Sequence, residues 1–482
     1  MDIGKINEDL LKRVLAYLDV HKGDLDSNVL EWDYRGDILI TTNPALGVPI
    51  ETLGFFAFHY SASNIAVSMG VPKYIINSVL LPPDASEEDL IIIFRTLGEE
   101  CRKYNVKVIG GHTGVYYGLE IPLVNVTSIG LRVREKRSPL PGDHVLIIGR
   151  YGLETLWLAS LGGYINSSYV KVWRELTPLP KALFALKREE AKLMHDVSEG
   201  GVIRGLMDIM EKYEVGLKVD FSGINIESLL YNVVGDSEIY SIPNYGMLIV
   251  IVEKSKSDEF MDECKRAGFE CNNIGQVIED KKLVVDGRLF MKFRRSSLDY
   301  LYGELQTLDP IINRLGSVLK RIESYPSIVK LIPEVGLNMV YGPEKILEIG
   351  EIAGLSGRVV KSLGRPKVCG KVIYGGSKHL STVVYEAHKV DKNIRAGVNI
   401  AGNEITYRAL VKLGIKVKKI EGYISSRCPI ADFIKENREI YEAYYHVGSH
   451  GIEPMIVLLG NNPEKLLKIL VDVAKYVDKK NS

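Results

Sequence analysis

Apolar and polar positions recur in two periods along the chain, and the alternation between them outlines the fold. The opening segment MDIGKINEDLLKRVLAYLDV has a helical period with acidic residues throughout. DILITT, Asp37–Thr42, then reads as a strand, and GFFAFHYSASNIAVSMG, Gly54–Gly70, as a helix rich in small residues. Tyr74–Leu81 predicts a second strand. In the turn PPDASEED, Ser86 is placed to cap a helix over Glu87–Tyr104 whose first turn is acidic. That helix ends before VKVIGGHTG, a buried strand running into a glycine loop, and Val124–Arg134 predicts another strand. Strands alternating with helices at this spacing indicate an α/β or α+β domain.

The turn-rich SPLPGD, Ser138–Asp143, breaks the pattern and fits a domain boundary. HVLIIG starts a second unit that runs through MHDVSEGGVIRGLMDIMEKY to about Tyr302. A third begins with a helix around Ile311–Tyr325. It continues through a strand at Gly336–Tyr341, a helix at His379–Lys389, a strand near Gly397–Ile400, and the terminal pair MIVLLG and PEKLLKILVDVAKYV. The expected domains are therefore residues 1–137, 138–302 and 309–478. There is no internal repeat.

Composition narrows the class. At 482 residues the chain exceeds one ordinary core, and 46% hydrophobic with 25% charged residues is a globular balance. Sixty-one basic residues match sixty-one acidic ones, so no global field draws the chain to nucleic acid or acidic lipid. Cys101, Cys264, Cys271, Cys369 and Cys428 form no CxxC pair, as expected of reduced thiols. No apolar run approaches the roughly 20 residues that span a bilayer, and the N-terminus is unlike a signal peptide. A cytoplasmic location is expected, without membrane or nucleic-acid partners.

Three loops in the last third carry candidate chemistry. In YGGSKH, Gly375 and Gly376 let the backbone approach a ligand, Ser377 is placed to cap the following helix, and His379 falls on its first turn, where free N–H groups attract an anion. In GSHGIEPM, Gly448 and Gly451 bracket His450, and Glu453 stands where the loop becomes a strand. PEVGLNMVY carries Asn338 on an apolar strand. Each alone also fits a structural turn or core strand. In order, PEVGLNMVYG, SGRVV, YGGSKH, AGVNI and GIEPMIVLLGNNPEK resemble the successive blocks of the archaeal-type thiamine-phosphate synthase (ThiN), over about Asp309–Tyr476.

That resemblance implies a three-layer α/β domain that couples hydroxymethylpyrimidine diphosphate to a thiazole phosphate and releases pyrophosphate. It assigns catalysis to Arg358 and His379, and binding of phosphorylated thiamine precursors or thiamine phosphate to Asn338, Gly375, Gly376, Ser377, Asn399, Gly448, Gly451 and Glu453. Arginine forks onto pyrophosphate oxygens, and histidine binds the same anion or moves a proton. Related domains fused to DNA-binding helices sense thiamine phosphate and lack this pair. This chain has both residues and no preceding helix-turn-helix, which favours synthase over sensor. It departs from the pattern after Asn399-Ile400, where Ala401-Gly402 replaces an Arg-Tyr, and at Ile452, which replaces a lysine.

The front of the chain also resembles a family. LPPDASEEDL, VKVIGGHTG, GDHVLIIG followed by GLE, and MHDVSEGGV look like the AIR-synthase superfamily, which includes HypE and thiamine-monophosphate kinase, over about Met1–Tyr302. The resemblance implies two half-domains, a homodimer built through the first, and ATP with Mg2+ in the groove between the halves. Asp26, Asn43, Asn64, Gly110, Gly111, His112, Thr113, Asp196, Glu199 and Gly200 would face the nucleotide, with Asp26 on the metal. Family carboxylates appear here as Asn43, Asn64 and Gly114, and magnesium prefers carboxylates, so a degenerate site is expected. A HypE-like role is disfavoured because the chain ends VDKKNS, without a terminal cysteine.

Overall fold

The computed structural model describes residues 4–5, 8–18, 35–198, 200–234, 236–290, 307–421, 428–448 and 453–481. They form two compact units, Met1–Leu308 and Asp309–Ser482, both mixed α/β.

The first unit contains two sheets joined by a continuous hydrophobic core. In the five-stranded sheet, Leu123–Arg132 lies between Ile38–Ala45 and Gly70–Leu81, antiparallel to both, and Lys107–Val115 runs parallel to Gly70–Leu81. One face is covered by the helix Ile50–Val67, onto which Thr41 donates a hydrogen bond at the Ser61 carbonyl. This helix starts before the expected Gly54 and stops before Gly70, because Met69 turns to a positive φ and Gly70 already opens the next strand. Ladder register leaves Ile38, Ile40 and Ile76 together on the opposite face, exposed by 45%, 65% and 41%, an open apolar surface. Ser86 caps its helix as the sequence predicts: its hydroxyl accepts from Asp89 N–H, and the Asp89 carboxylate accepts from Ser86 N–H.

GGHT is not a loop. The strand Lys107–Val115 runs straight through it, pairing Gly110 with Ile76 and Gly111 with Asn77. Gly111 is required there, since a Cβ would sit 2.4 Å from the Asn77 carbonyl oxygen.

The second sheet has seven strands, with His144–Ile148 and Leu248–Val252 at its heart. Between helices of this unit lies a fully buried polar chain. The Thr177 hydroxyl is 2.7 Å from His59 Nδ1, and His59 Nε2 is 3.0 Å from Glu100 Oε2. Burial holds the His59 pKa below its ordinary value, so the neutral ring accepts from Thr177 and donates to Glu100.

The second unit is a three-layer sandwich. Its sheet orders Val372–Tyr374, Ala353–Leu355, Met339–Tyr341, Ala396–Ala401, Met455–Gly460, Ala443–His446 and Val417–Ile420. Every neighbouring pair is antiparallel except the last, which is parallel. Strand periodicity separates the two cores: Met339, Tyr341, Ile456 and Leu458 pack under the helices Pro310–Ile322, Glu404–Lys412 and Pro463–Asn481. Val340, Tyr444, Val457 and Leu459 pack under Lys378–Val390 and Pro429–Asn437. The strand expected from Gly336 begins only at Met339, because Leu337 bridges instead to Val359, at the edge of the hairpin Arg358–Ser362 and Arg365–Cys369. No described helix is long and apolar enough to cross a membrane. All five cysteines are free thiols.

Candidate functional site

Several strand ends and one helix start of the second unit enclose a cavity of about 300 Å³. Ala443–His446 delivers His446, Met455–Gly460 delivers Met455, Ala396–Ala401 delivers Asn399, and the hairpin base delivers Arg358. Ser377 and His379 enter from the start of the helix Lys378–Val390, and Glu453 from the last loop. Leu380, Pro429, Ile430 and Met455 make an apolar floor.

Thus Arg358, His379, Asn338, Ser377, Asn399 and Glu453, far apart in sequence, share one cavity. Gly375 and Gly376 form the turn just behind it, Gly448 stands two residues beyond His446, and Gly451 lies outside the described residues. Ser377 occupies the N-cap position, but its side chain makes no capping hydrogen bond; the expected cap is corrected, and its hydroxyl is left on the cavity wall.

The polar groups differ in what already holds them. Asn338 donates to the Leu355 and Gly357 carbonyls at 2.8 and 3.3 Å and accepts from Leu355 N–H at 3.1 Å. Asn399 accepts from Asn338 N–H at 2.7 Å and donates to the Gly336 carbonyl at 3.0 Å. The Glu453 carboxylate accepts from Glu334 and Val335 N–H at 2.8 and 3.3 Å. These three side chains tie together the backbone on which Arg358 stands, and the arginine stem lies across Gly336. Arg358 itself bonds only the Gly357 carbonyl, at 2.6 Å, and no described carboxylate pairs with it.

His379 makes no hydrogen bond to any described residue. It is an exposed residue on the cavity lining, and desolvation, then the neighbouring His446, hold its pKa below the ordinary imidazole value. His446 is also lowered, by burial. Sequence pattern hides His446, because AYYHV has the look of a plain apolar strand; its position just ahead of the glycine loop is the available signal.

The positions expected to hold nucleotide in the front unit are arranged differently. Asn64 donates to the Asn43 side-chain oxygen at 3.0 Å, and the hydroxyls of Thr42 and Thr127 meet at 3.0 Å. His112 pairs with the Tyr116 hydroxyl at 2.5 Å, in the strand that also carries Thr113. Asp196 ends the strand Ala191–Asp196, and Gly200 precedes the helix Gly201–Tyr213. Asp26 and Glu199 lie outside the described residues. Among the described residues no group of three His, Cys, Asp or Glu side chains could hold a metal ion. Neutral amides bonded to each other are poor magnesium ligands, so the described donor set does not fit the metal.

The fold defines two kinds of module in one chain: a two-sheet α/β module followed by a three-layer α/β domain with one polar-lined cavity. Residues 26–132 match the N-terminal and 141–288 the C-terminal domain of AIR synthase related protein, and residues 314–472 match thiamine-phosphate synthase ThiN. The chain is therefore a fusion of an AIR synthase-related module with a C-terminal ThiN domain. Thiamine-phosphate synthase ThiN of Methanothermobacter thermautotrophicus is 23% identical over 34% of this chain and 92% of its own length. A putative hydrogenase expression/formation protein of Methanocaldococcus jannaschii is 22% identical over 48% of this chain and 72% of its own. Escherichia coli HypE, a hydrogenase maturation protein of known structure, superposes with a TM-score of 0.53 at 17% identity, covering 60% of this chain and 96% of its own.

Proposed function

We propose that the Asp309–Ser482 unit is a thiamine-phosphate synthase, joining hydroxymethylpyrimidine diphosphate to hydroxyethylthiazole phosphate and releasing pyrophosphate. The observation that carries this reading is the convergence of Arg358 and His379 on one cavity, each without a described carboxylate partner, in the unit that matches ThiN. The bond between the pyrimidine methylene carbon and the diphosphate oxygen breaks, and its electron pair leaves with pyrophosphate. The thiazole nitrogen lone pair forms the new carbon–nitrogen bond. Arg358 stabilises the charge that grows on the leaving oxygens. His379, whose surroundings disfavour its charged form, gains a proton as the anion arrives and passes it to the departing pyrophosphate. Asn338, Asn399 and Glu453 act as positioning residues by fixing the loops that carry these groups. The apolar floor of Leu380, Pro429, Ile430 and Met455 suits the heterocycles and limits water.

The front module serves as a scaffold, with a degenerate nucleotide site and no magnesium-dependent chemistry. Its open face around Ile38, Ile40 and Ile76 suits a second copy of the chain. A sensing role is the competing reading, favoured by Ala401, which places a small apolar side chain directly across the ladder from the cavity residue Met455.

Incubating the chain with both phosphorylated precursors separates the two. Thiamine phosphate that disappears in Arg358→Ala and His379→Ala supports synthesis. Tight binding of thiamine phosphate with no turnover overturns it in favour of a sensor.

A further inference from the structure

His446 is the one imidazole of the cavity whose protonation state the backbone itself specifies. It closes the strand Ala443–His446, is only 5% exposed, and lines the same wall as His379 and Arg358. Its Nδ1 accepts the Gly448 N–H at 3.3 Å. A nitrogen that accepts from a backbone amide carries no proton, so the neutral ring holds its hydrogen on Nε2. Gly448 makes this possible with a φ of +86°, a conformation that other residues rarely adopt.

The surroundings oppose a second proton. Protonating Nδ1 would set two donors against each other and lose the Gly448 bond. The titratable or charged groups facing the cavity are Arg358, His379 and Glu453, and the Glu453 carboxylate already accepts from Glu334 and Val335 N–H. The helix Pro429–Asn437 contributes only Pro429 and Ile430 to the lining, and the flanking strands place Ile420 and Met455 opposite His446. One permanent cation, Arg358, and no free carboxylate among the described lining residues leave an imidazolium without support.

We propose that His446 is a further substrate-binding residue, a neutral imidazole of fixed tautomer that donates Nε2–H to the diphosphate held by Arg358. The two histidines then divide the work. His379 has no hydrogen-bond partner among the described residues and is the ring that changes protonation. His446 donates without titrating and leaves the reaction as it entered. A neutral donor anchors the diphosphate without adding charge that would retard pyrophosphate release. This inference rests on the synthase reading for the identity of the ligand, but its test uses inorganic pyrophosphate and requires no turnover.

The test is a long-range proton–nitrogen spectrum of the full chain carrying 15N-histidine, recorded with and without pyrophosphate. Among the nine histidines, His446 is assigned through its contact with the Gly448 amide. The expected result is an Nε2–H tautomer that shifts on adding pyrophosphate and stays neutral, while His379 becomes imidazolium. His446→Leu should weaken pyrophosphate binding about tenfold, the loss of one hydrogen bond to a charged group, without changing its pH dependence. His446→Gln, which returns an N–H donor near Nε2, should recover most of that loss. A His446 signal indifferent to pyrophosphate, or one that becomes imidazolium, overturns the proposal. Pyrophosphate binding through both rings without thiamine phosphate formation would instead refute the synthase reading and leave this assignment standing.

Discussion

The C-terminal cavity and the expected nucleotide face of the front module both gather polar side chains at strand ends and sheet edges, yet they stand ready for different things. In the cavity, Arg358 and His379 have donors with no side-chain partner among the described residues. In the front module, Asn43 of the strand Ile38–Ala45 and Asn64 of the helix Ile50–Val67 bond each other, and Thr42 and Thr127 do likewise. A ligand entering the first region completes hydrogen bonds that the protein leaves open. In the second it would have to break the existing Asn43–Asn64 and Thr42–Thr127 bonds. What separates the two regions lies less in residue type than in whether bonding capacity is already taken.

The comparison breaks most readily at Arg358. Arg358→Ala should reduce thiamine phosphate formation about 100- to 1,000-fold, the usual loss on removing one donor to developing charge. Thermal unfolding should barely move, because the side chain is exposed and bonds only the Gly357 carbonyl. Equal losses of activity and stability would show that the arginine is structural.

Asn338→Ala tests the positioning role and should do the reverse. It removes bonds to the Leu355 and Gly357 carbonyls and strands the buried Leu355 N–H, at a cost of about 2–3 kcal/mol, read as a lower midpoint in denaturant. Activity should fall with it through misplacement of Arg358.

The front module is sharpened by putting carboxylates back. Wild-type protein should show no Mg2+-dependent rise in Tm. In Asn43→Asp combined with Asn64→Asp, two like charges replace the 3.0 Å amide bond, lowering stability by about 1–2 kcal/mol, and added Mg2+ should restore part of it through linkage. A magnesium response in the wild type would contradict the degenerate-site reading.

The smallest effect is the pH dependence of the front unit. Burial lowers the folded-state pKa of His59 from its ordinary value of 6.5, so below that pH the unfolded chain binds a proton that the folded chain refuses. Stability of this unit should therefore decline as pH falls below 6.5 and be unaffected by His59 above it. His59→Gln should flatten that slope in Tm measured against pH.

The order of elements and the two modules are legible in the sequence, because hydrophobic periodicity marks the strands and helices and the motif blocks follow a family order. The resemblance to ThiN singles out His379 in YGGSKH and Arg358 in SGRVV, and the fold brings the two to one cavity. What the sequence withheld was bonding partners. The resemblance implies ligand contacts at Asn338, Asn399 and Glu453, yet their side chains bond the backbone, which only the tertiary fold reveals. Ser377 has the right identity and position for a cap without making one. His446 was hidden by the apolar period of AYYHV, and GGHT looked like a loop because glycines that permit close strand pairing resemble glycines that permit turns.

The most direct test of the central claim is the stoichiometry of synthesis without nucleotide. The full chain is given hydroxymethylpyrimidine diphosphate and hydroxyethylthiazole phosphate, and thiamine phosphate and pyrophosphate are counted together. One pyrophosphate per thiamine phosphate, formed without ATP and unchanged when ATP is added, is the predicted result. Absence of product, or product that appears only with ATP, would contradict the assignment of the chemistry to the C-terminal cavity.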